Sequence, residues 1–221
     1  MKRFRFPAFI LIILTTLSAM SAKSQNPVKD YAANWKKVEA FQLKNLPKSA
    51  VAEVSKIYAL AKKENQDAQI IKSLIYMTNL QSETREDNEA ASIKEIEKEY
   101  TTGIGSREPA HSLLAGLLAG MYQAYYENNR WELMNRSETK SFKKEDIDTW
   151  SAGDFHQKIS ELYLRSVKEE RILQQTTLKD FDAIIIKGNM RHLRPTLYDL
   201  LAFRALDYFA GDESGLTKPA Y

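Results

Sequence analysis

The sequence predicts an all-α protein, and three observations carry that expectation. Apolar residues recur three and four positions apart along most of the chain, the period of a helix with one buried face. Glycine and proline are scarce, 8 and 6 in 221 residues. Short polar joints separate the periodic stretches, so successive helices are expected to fold back on one another as antiparallel pairs.

The elements follow in order. Tyr31, Trp35, Val38 and Phe41 share one face of a first helix. Pro47 suits the first turn of a second, whose Val51, Val54, Tyr58 and Ala61 recur until the polar run Lys62 to Asn65. Asp67 is the expected cap of a third, with Ile70, Ile71, Leu74, Ile75 and Leu80 as its buried stripe. After a polar stretch, Ala91, Ile93, Ile96 and Tyr100 mark a weaker amphipathic helix that ends at Thr101 to Gly103. The most apolar helix follows Pro109 and carries Leu113, Leu114, Leu117, Leu118, Met121, Tyr122 and Tyr125. A second stripe of Ala115, Gly116, Ala119 and Gly120 lets a neighbour approach closely, and this helix is expected at the centre.

From Asn128 to Phe142 the chain reads as a long polar connection, with acidic helix starts near Glu145 and Asp154. Phe155, Ile159, Leu162, Tyr163, Ser166 and Val167 define a helix expected to run to about Gln175. Phe181 to Ile186 stays unassigned, because three consecutive isoleucines favour extended backbone within helical surroundings. Pro195 begins a last helix, apolar on nearly every face and stopped by Gly211. These pairs predict a tetratricopeptide-like α-solenoid or an irregular helical bundle; Ala50 to Leu80 resembles one repeat, without a second copy at the 34-residue period.

The chain begins with Lys2, Arg3 and Arg5, then an apolar run from Pro7 through Leu17 that closes into Ser18, Ala19, Ser21, Ala22 and Ser24. That order reads as a secretory signal peptide over residues 1–24, followed by a helical domain over 25–211. The rival reading is a retained anchor, but a span takes about 20 apolar residues and this run is shorter. Export gives a periplasmic or secreted protein with no membrane attachment after cleavage. The absence of cysteine excludes disulfides, thiolate metal sites, cysteine nucleophiles and lipid attachment through cysteine. Loss of Lys2, Arg3 and Arg5 brings the basic residues level with the 29 acidic ones, so a nucleic-acid partner is not expected.

A search for chemistry yields no catalytic, cofactor or metal site. His111, His156 and His192 have no helical metal-ligand spacing, and Glu108 reads as a helix-start carboxylate beside a partly buried His111. Gly103-Ile104-Gly105 lacks the strand and third glycine of a phosphate loop, and no nucleophile elbow or Ser-x-x-Lys occurs. The densest polar group is Asp180, Asp182, Lys187, Arg191, His192, Arg194 and Asp199. It suits an ion-pair network holding the last helix, with Asp182, Lys187, Arg191, Arg194 and Asp199 as a structural or docking cluster; the catalytic alternative is an acid–base site of an envelope hydrolase. Leu197, Leu201 and Phe209 are expected to line a docking surface, since the last helix has more apolar faces than one neighbour covers. Trp35, Trp131 and Trp150 read as core or groove residues.

Several passages resemble the amino-terminal helical region of Bacteroidetes-type alpha-2-macroglobulin family proteins. They are Leu46 to Ala50 with Ile57 to Asn65, YYENNRW at 125–131, NRSET and FKKEDIDTW within 135–150, and LKDFDAIIIKGN with LRPTLYDLLAFRALDYF within 178–209. The resemblance implies part of an exported endopeptidase inhibitor that traps proteinases, with residues 212–221 as a linker toward a first β-domain. The thioester cysteine and the macroglobulin β-domains of that family are not in this sequence. The expected role is therefore a non-catalytic scaffold whose partner is a protein: the macroglobulin domains, or another envelope protein. Proteinases would be met only through the whole family architecture. A free-standing tetratricopeptide-like module that binds a peptide or a protein is the alternative.

Overall fold

The computed structural model describes residues 31–82, 88–102, 107–134, 146–186, 188 and 190–211. The expected leader, residues 25–30, Lys187 and the expected linker lie outside them. The described residues belong to one compact unit beginning at Tyr31, and the fold is all-α, with nine α-helices among those residues.

The first helix, α1 (Ala32–Leu43), buries Trp35 and Val38. It stops at Lys44, and Asn45 turns the chain with φ 53°, a left-handed conformation that asparagine tolerates. Next, α2 (Pro47–Glu64) has Pro47 in its first turn and ends in left-handed Asn65, whose amide donates to Ala61 and Lys62 carbonyls. It packs antiparallel on α3 (Asp67–Ser82), which buries Ile70, Ile71, Leu74 and Leu80. Asp67 is not the cap expected of it: it is the first helical residue, and its carboxylate accepts from Arg107 at 2.6 Å.

After α4 (Asn88–Thr102), which buries Ile93 and Ile96, comes α5 (Ala110–Asn128), the hub of the fold. It touches α3, α4, the short α6 (Arg130–Met134), α7 (Ala152–Val167) and α9 (Leu197–Ala210). Ten of its residues are buried, Gly116 and the expected small neighbours Ala115 and Ala119 among them. A Cβ at Gly116 would lie 2.7 Å from Leu201 Cδ2 of α9, and 3.6 Å, an ordinary contact, from Ser166 Cβ of α7, so the missing side chain makes room for Leu201 against α5. Gly120 has nothing within 4 Å of that position. The close approach is local, not a property of the whole stripe.

Two expected boundaries are corrected. The connection after α5 is interrupted by α6, in which Leu133 is buried. The helix expected to reach Gln175 breaks after Val167, because Glu169 leaves helical backbone at φ −89°, ψ 53°; α8 (Glu170–Gln175) then turns Leu173 into the core. Both α7 and α9 begin with reciprocal capping boxes, Ser151 with Asp154 and Thr196 with Asp199. The unassigned segment starts at buried Phe181, the last residue of the 3-10 turn Leu178–Phe181, and continues as a turn over 182–184. An isolated antiparallel bridge joins Thr177 to Thr196, with Leu178 N donating to Pro195 O and Leu197 N to Thr176 O, both at 2.9 Å.

Aromatic side chains fill the space between α5, α7 and α9. Tyr122 and Trp150 stack with centroids 5.4 Å apart and planes 5° apart. Buried His156 places Nδ1 2.9 Å from the Tyr208 hydroxyl and meets Tyr126 edge-on.

The Gly116 contact sets opposite expectations for the two glycines. Gly116→Val should cost about 1–3 kcal/mol through overpacking against Leu201, whereas Gly120→Ala should be neutral or stabilising by up to about 1 kcal/mol from helix propensity. Urea denaturation of the two variants beside the parent checks the pair.

Candidate functional site

Among the described residues, the polar cluster expected between residues 180 and 199 does not converge. Arg191 pairs with Asp182, joining a turn to the 3-10 turn Arg191–Leu193. Asp199 is consumed by its capping box, accepting from Thr196 N at 2.9 Å and Thr196 Oγ1 at 2.7 Å. Arg194 lies over the Phe203 ring, 4.3 Å from its centroid. Asp180 accepts from Thr177 Oγ1 at 3.2 Å, and His192 is exposed. Lys187 lies outside the described residues. The described acidic and basic groups are therefore split among a cap, one ion pair, a cation–aromatic contact and the Asp180 hydrogen bond to Thr177. No set of three or more His, Asp or Glu residues able to hold a metal ion occurs among the described residues.

A tighter polar assembly stands elsewhere, at the start of α5. Glu108 Oε1 accepts from Arg165 Nη2 of α7 at 2.7 Å, and its Oε2 accepts from Ser112 N and Ser112 Oγ at 3.2 and 2.7 Å. His111 offers Nδ1 to the same Nη2 and stacks on Tyr100 of α4, centroids 4.4 Å apart. Burial pushes the Glu108 pKa up, but the Ser112 hydroxyl and Arg165 outweigh it and hold the carboxyl below its ordinary value. Burial and then Arg165 push His111 down, against the pull of Glu108, so the neutral imidazole accepts from the guanidinium. The sequence reading found Glu108 and His111 but not Arg165, which lies 57 positions from Glu108. Every charged group here is turned toward another one, which makes the assembly a clamp between α4, α5 and α7.

The last helix divides by angle. Leu197, Leu201, Ala205 and Tyr208 face inward and are buried, so Leu197 and Leu201 are core residues and not the docking surface expected of them: Leu201 fills the space above Gly116. The exposed apolar stripe is Phe203 at 50%, Leu206 at 67% and Phe209 at 38%. Only Phe209 of the three expected docking residues belongs to it.

A groove of about 940 Å³ runs beside α3, α4 and α5, with Thr78, Asn79, Ile93, Met121, Tyr125 and Asp148 in its walls. Tyr125 donates to Asp148 across one end at 2.6 Å. No described helix is long and apolar enough to cross a membrane. No family model, curated protein or solved structure matches the chain.

The clamp makes stability depend on pH in a defined direction. Both Glu108 and His111 have folded pKa values below their unfolded ones, so the unfolded chain binds protons more readily. Stability should be full above the ordinary histidine range. It should fall as pH drops through that range and fall again through the carboxylate range. His111→Gln should flatten the first decline in a series of denaturation midpoints, and Arg165→Met should cost about 1–3 kcal/mol by leaving Glu108 without its cation.

Proposed function

We propose that this chain is a non-catalytic helical docking module, exported from the cell, of an alpha-2-macroglobulin-like endopeptidase inhibitor. The observation that carries the docking part is the exposed stripe on α9. This helix already buries Leu197, Leu201, Ala205 and Tyr208 inside the unit, and it still presents two phenylalanines and a leucine to solvent. Large apolar groups contiguous along one stripe are the usual mark of a protein-binding face. Export rests on the basic, then apolar, then small-residue order of the first residues. The inhibitor assignment rests on the quoted passages that resemble that family. The proteinase trap itself, with its bait segment and thioester, belongs in this reading to other parts of the architecture.

A second reading is a free-standing module that binds a peptide or a protein, favoured by the groove along α3, α4 and α5. Its walls combine the polar Thr78 and the paired Tyr125 and Asp148 with the apolar Ile93 and Met121.

Export is tested by expression with the full leader. A shortened periplasmic product starting between Ala22 and Gln25 is expected by amino-terminal sequencing, and the intact leader in the membrane fraction would overturn export. The docking face is tested at high dilution with a hydrophobic dye. Leu206→Glu should abolish dye fluorescence while changing stability by no more than about 0.5 kcal/mol, whereas Leu201→Ala should cost about 2–5 kcal/mol. A parent chain that binds no dye would sink the docking reading.

A further inference from the structure

We infer that the cavity between α3 and the turn that follows Phe181 is a binding site for a small carboxylate with an apolar tail, its charge met by the Lys72 ammonium. The cavity measures about 270 Å³ and is lined by Lys72, Ile75 and Tyr76 of α3 and by the run from Asp182 to Ile186. Three consecutive isoleucines, Ile184, Ile185 and Ile186, thus supply one wall and Ile75 part of another. The volume falls below the roughly 300–1,000 Å³ of sites for drug-sized ligands, so the ligand is small.

Lys72 Nζ lies 4.1 Å from the centroid of the Trp35 ring and 5.6 Å from that of Tyr76. Ring faces attract a cation but give its N–H groups no lone-pair acceptor. Among the described residues no carboxylate comes within ion-pair distance of this ammonium. A second lysine shows what is missing. Lys158 is also half-buried, with Nζ 5.7 Å from the Tyr122 ring centroid, and it has Glu97 Oε1 at 2.7 Å. Lys72 has the aromatic surroundings without the anion. Burial pushes its pKa down and outweighs the opposite pull of Glu39, which is exposed and beyond ion-pair distance. A carboxylate brought against Lys72 from the cavity supplies what Glu97 gives Lys158.

The remaining charge at the cavity agrees with an anionic ligand. Asp182 stands in the wall, but Arg191 pairs with it, and Arg191 Nη2 is buried without a hydrogen-bond partner among the described residues. Lys72 and Arg191 thus set two positive charges against the one negative charge of Asp182. A monovalent anion balances the sum. Phosphate or sulfate would turn several charged oxygens toward isoleucine at a desolvation cost, whereas an aliphatic tail in that place removes apolar wall from water. With one charge-assisted contact and a tail of about six carbons, the dissociation constant should be on the order of millimolar.

Hexanoate is the probe, with hexanol and acetate as its uncharged and tailless counterparts. In an NMR titration of the purified chain, hexanoate should give saturable shifts centred on α3 and residues 182–186, and hexanol and acetate should bind at least about tenfold more weakly. Lys72→Met should lower hexanoate binding to the level of hexanol. The parent chain gives a readout that needs no variant. Hexanoate, and not hexanol, should slow acetylation of Lys72 by N-hydroxysuccinimidyl acetate, followed by peptide mass spectrometry, and leave that of exposed Lys179 unchanged. Free acids and the carboxyl ends of peptides share this chemistry, and an acetylated tripeptide ending in leucine separates them: tighter binding than hexanoate assigns the site to a chain end, weaker binding to a free acid. Hexanol that binds as tightly as hexanoate, or hexanoate that binds parent and Lys72→Met equally, would overturn the role of the ammonium. No saturable shift with hexanoate, together with unchanged acetylation of Lys72, would overturn the site.

Discussion

Helix α5 can be central only because it lacks a side chain where its neighbours come closest. A helix that buries side chains on nearly all sides must be approached from several directions at once. A side chain at Gly116 would have to displace the Leu201 methyl of α9, while Ser166 of α7 would stand at ordinary van der Waals distance. The stacked ring pair of Tyr122 and Trp150 and the His156 contact with Tyr208 extend from that approach. Packing interiors to near-crystal density leaves no slack for such a contact to be remade elsewhere. The seat of Leu201, and through it the close approach of α9 to α5, therefore depends on one glycine.

Polar groups serve this packing by fixing where elements begin and how they join. Ser151 with Asp154 and Thr196 with Asp199 satisfy the amides at the starts of α7 and α9. Arg107 ties the start of α3 to the approach to α5, and Arg165 ties α7 to Glu108 and His111. Each carboxylate so placed has its charge met by a neighbour and is not presented to a substrate. This distribution accords with a scaffold, in which the informative surface is apolar.

The helices were legible in the sequence because their faces repeat with the helical period, and so was the central place of the helix after Pro109. What escaped was set by geometry that periodicity does not encode. The break after Val167 depends on one residue, Glu169, leaving helical backbone, while the apolar spacing runs on through Leu173. Both capping boxes carry a Ser/Thr-x-x-Asp signature in the sequence. Composition alone places Leu197 and Leu201 on a surface, because the last helix has more apolar residues than one neighbour covers. Its angular distribution sends those two inward and leaves Phe203 and Leu206 outside. Arg165 was invisible because no local pattern links it to a carboxylate 57 residues away.

The bridge between Thr177 and Thr196 closes the chain at a neck, with hydrogen bonds on either side of it. Everything from Leu178 to Pro195 is thereby an excursion whose two ends are fixed to each other. The entropic cost of closing such a loop grows only with the logarithm of its length. Residues can be gained or lost around Gly188 at small thermodynamic cost, because the neck, not the excursion, sets where α9 starts. The stretch around Gly188 can thus vary in length, while Leu178 and Phe181 keep the near end of the excursion in the core and the register of the final helix stays constant.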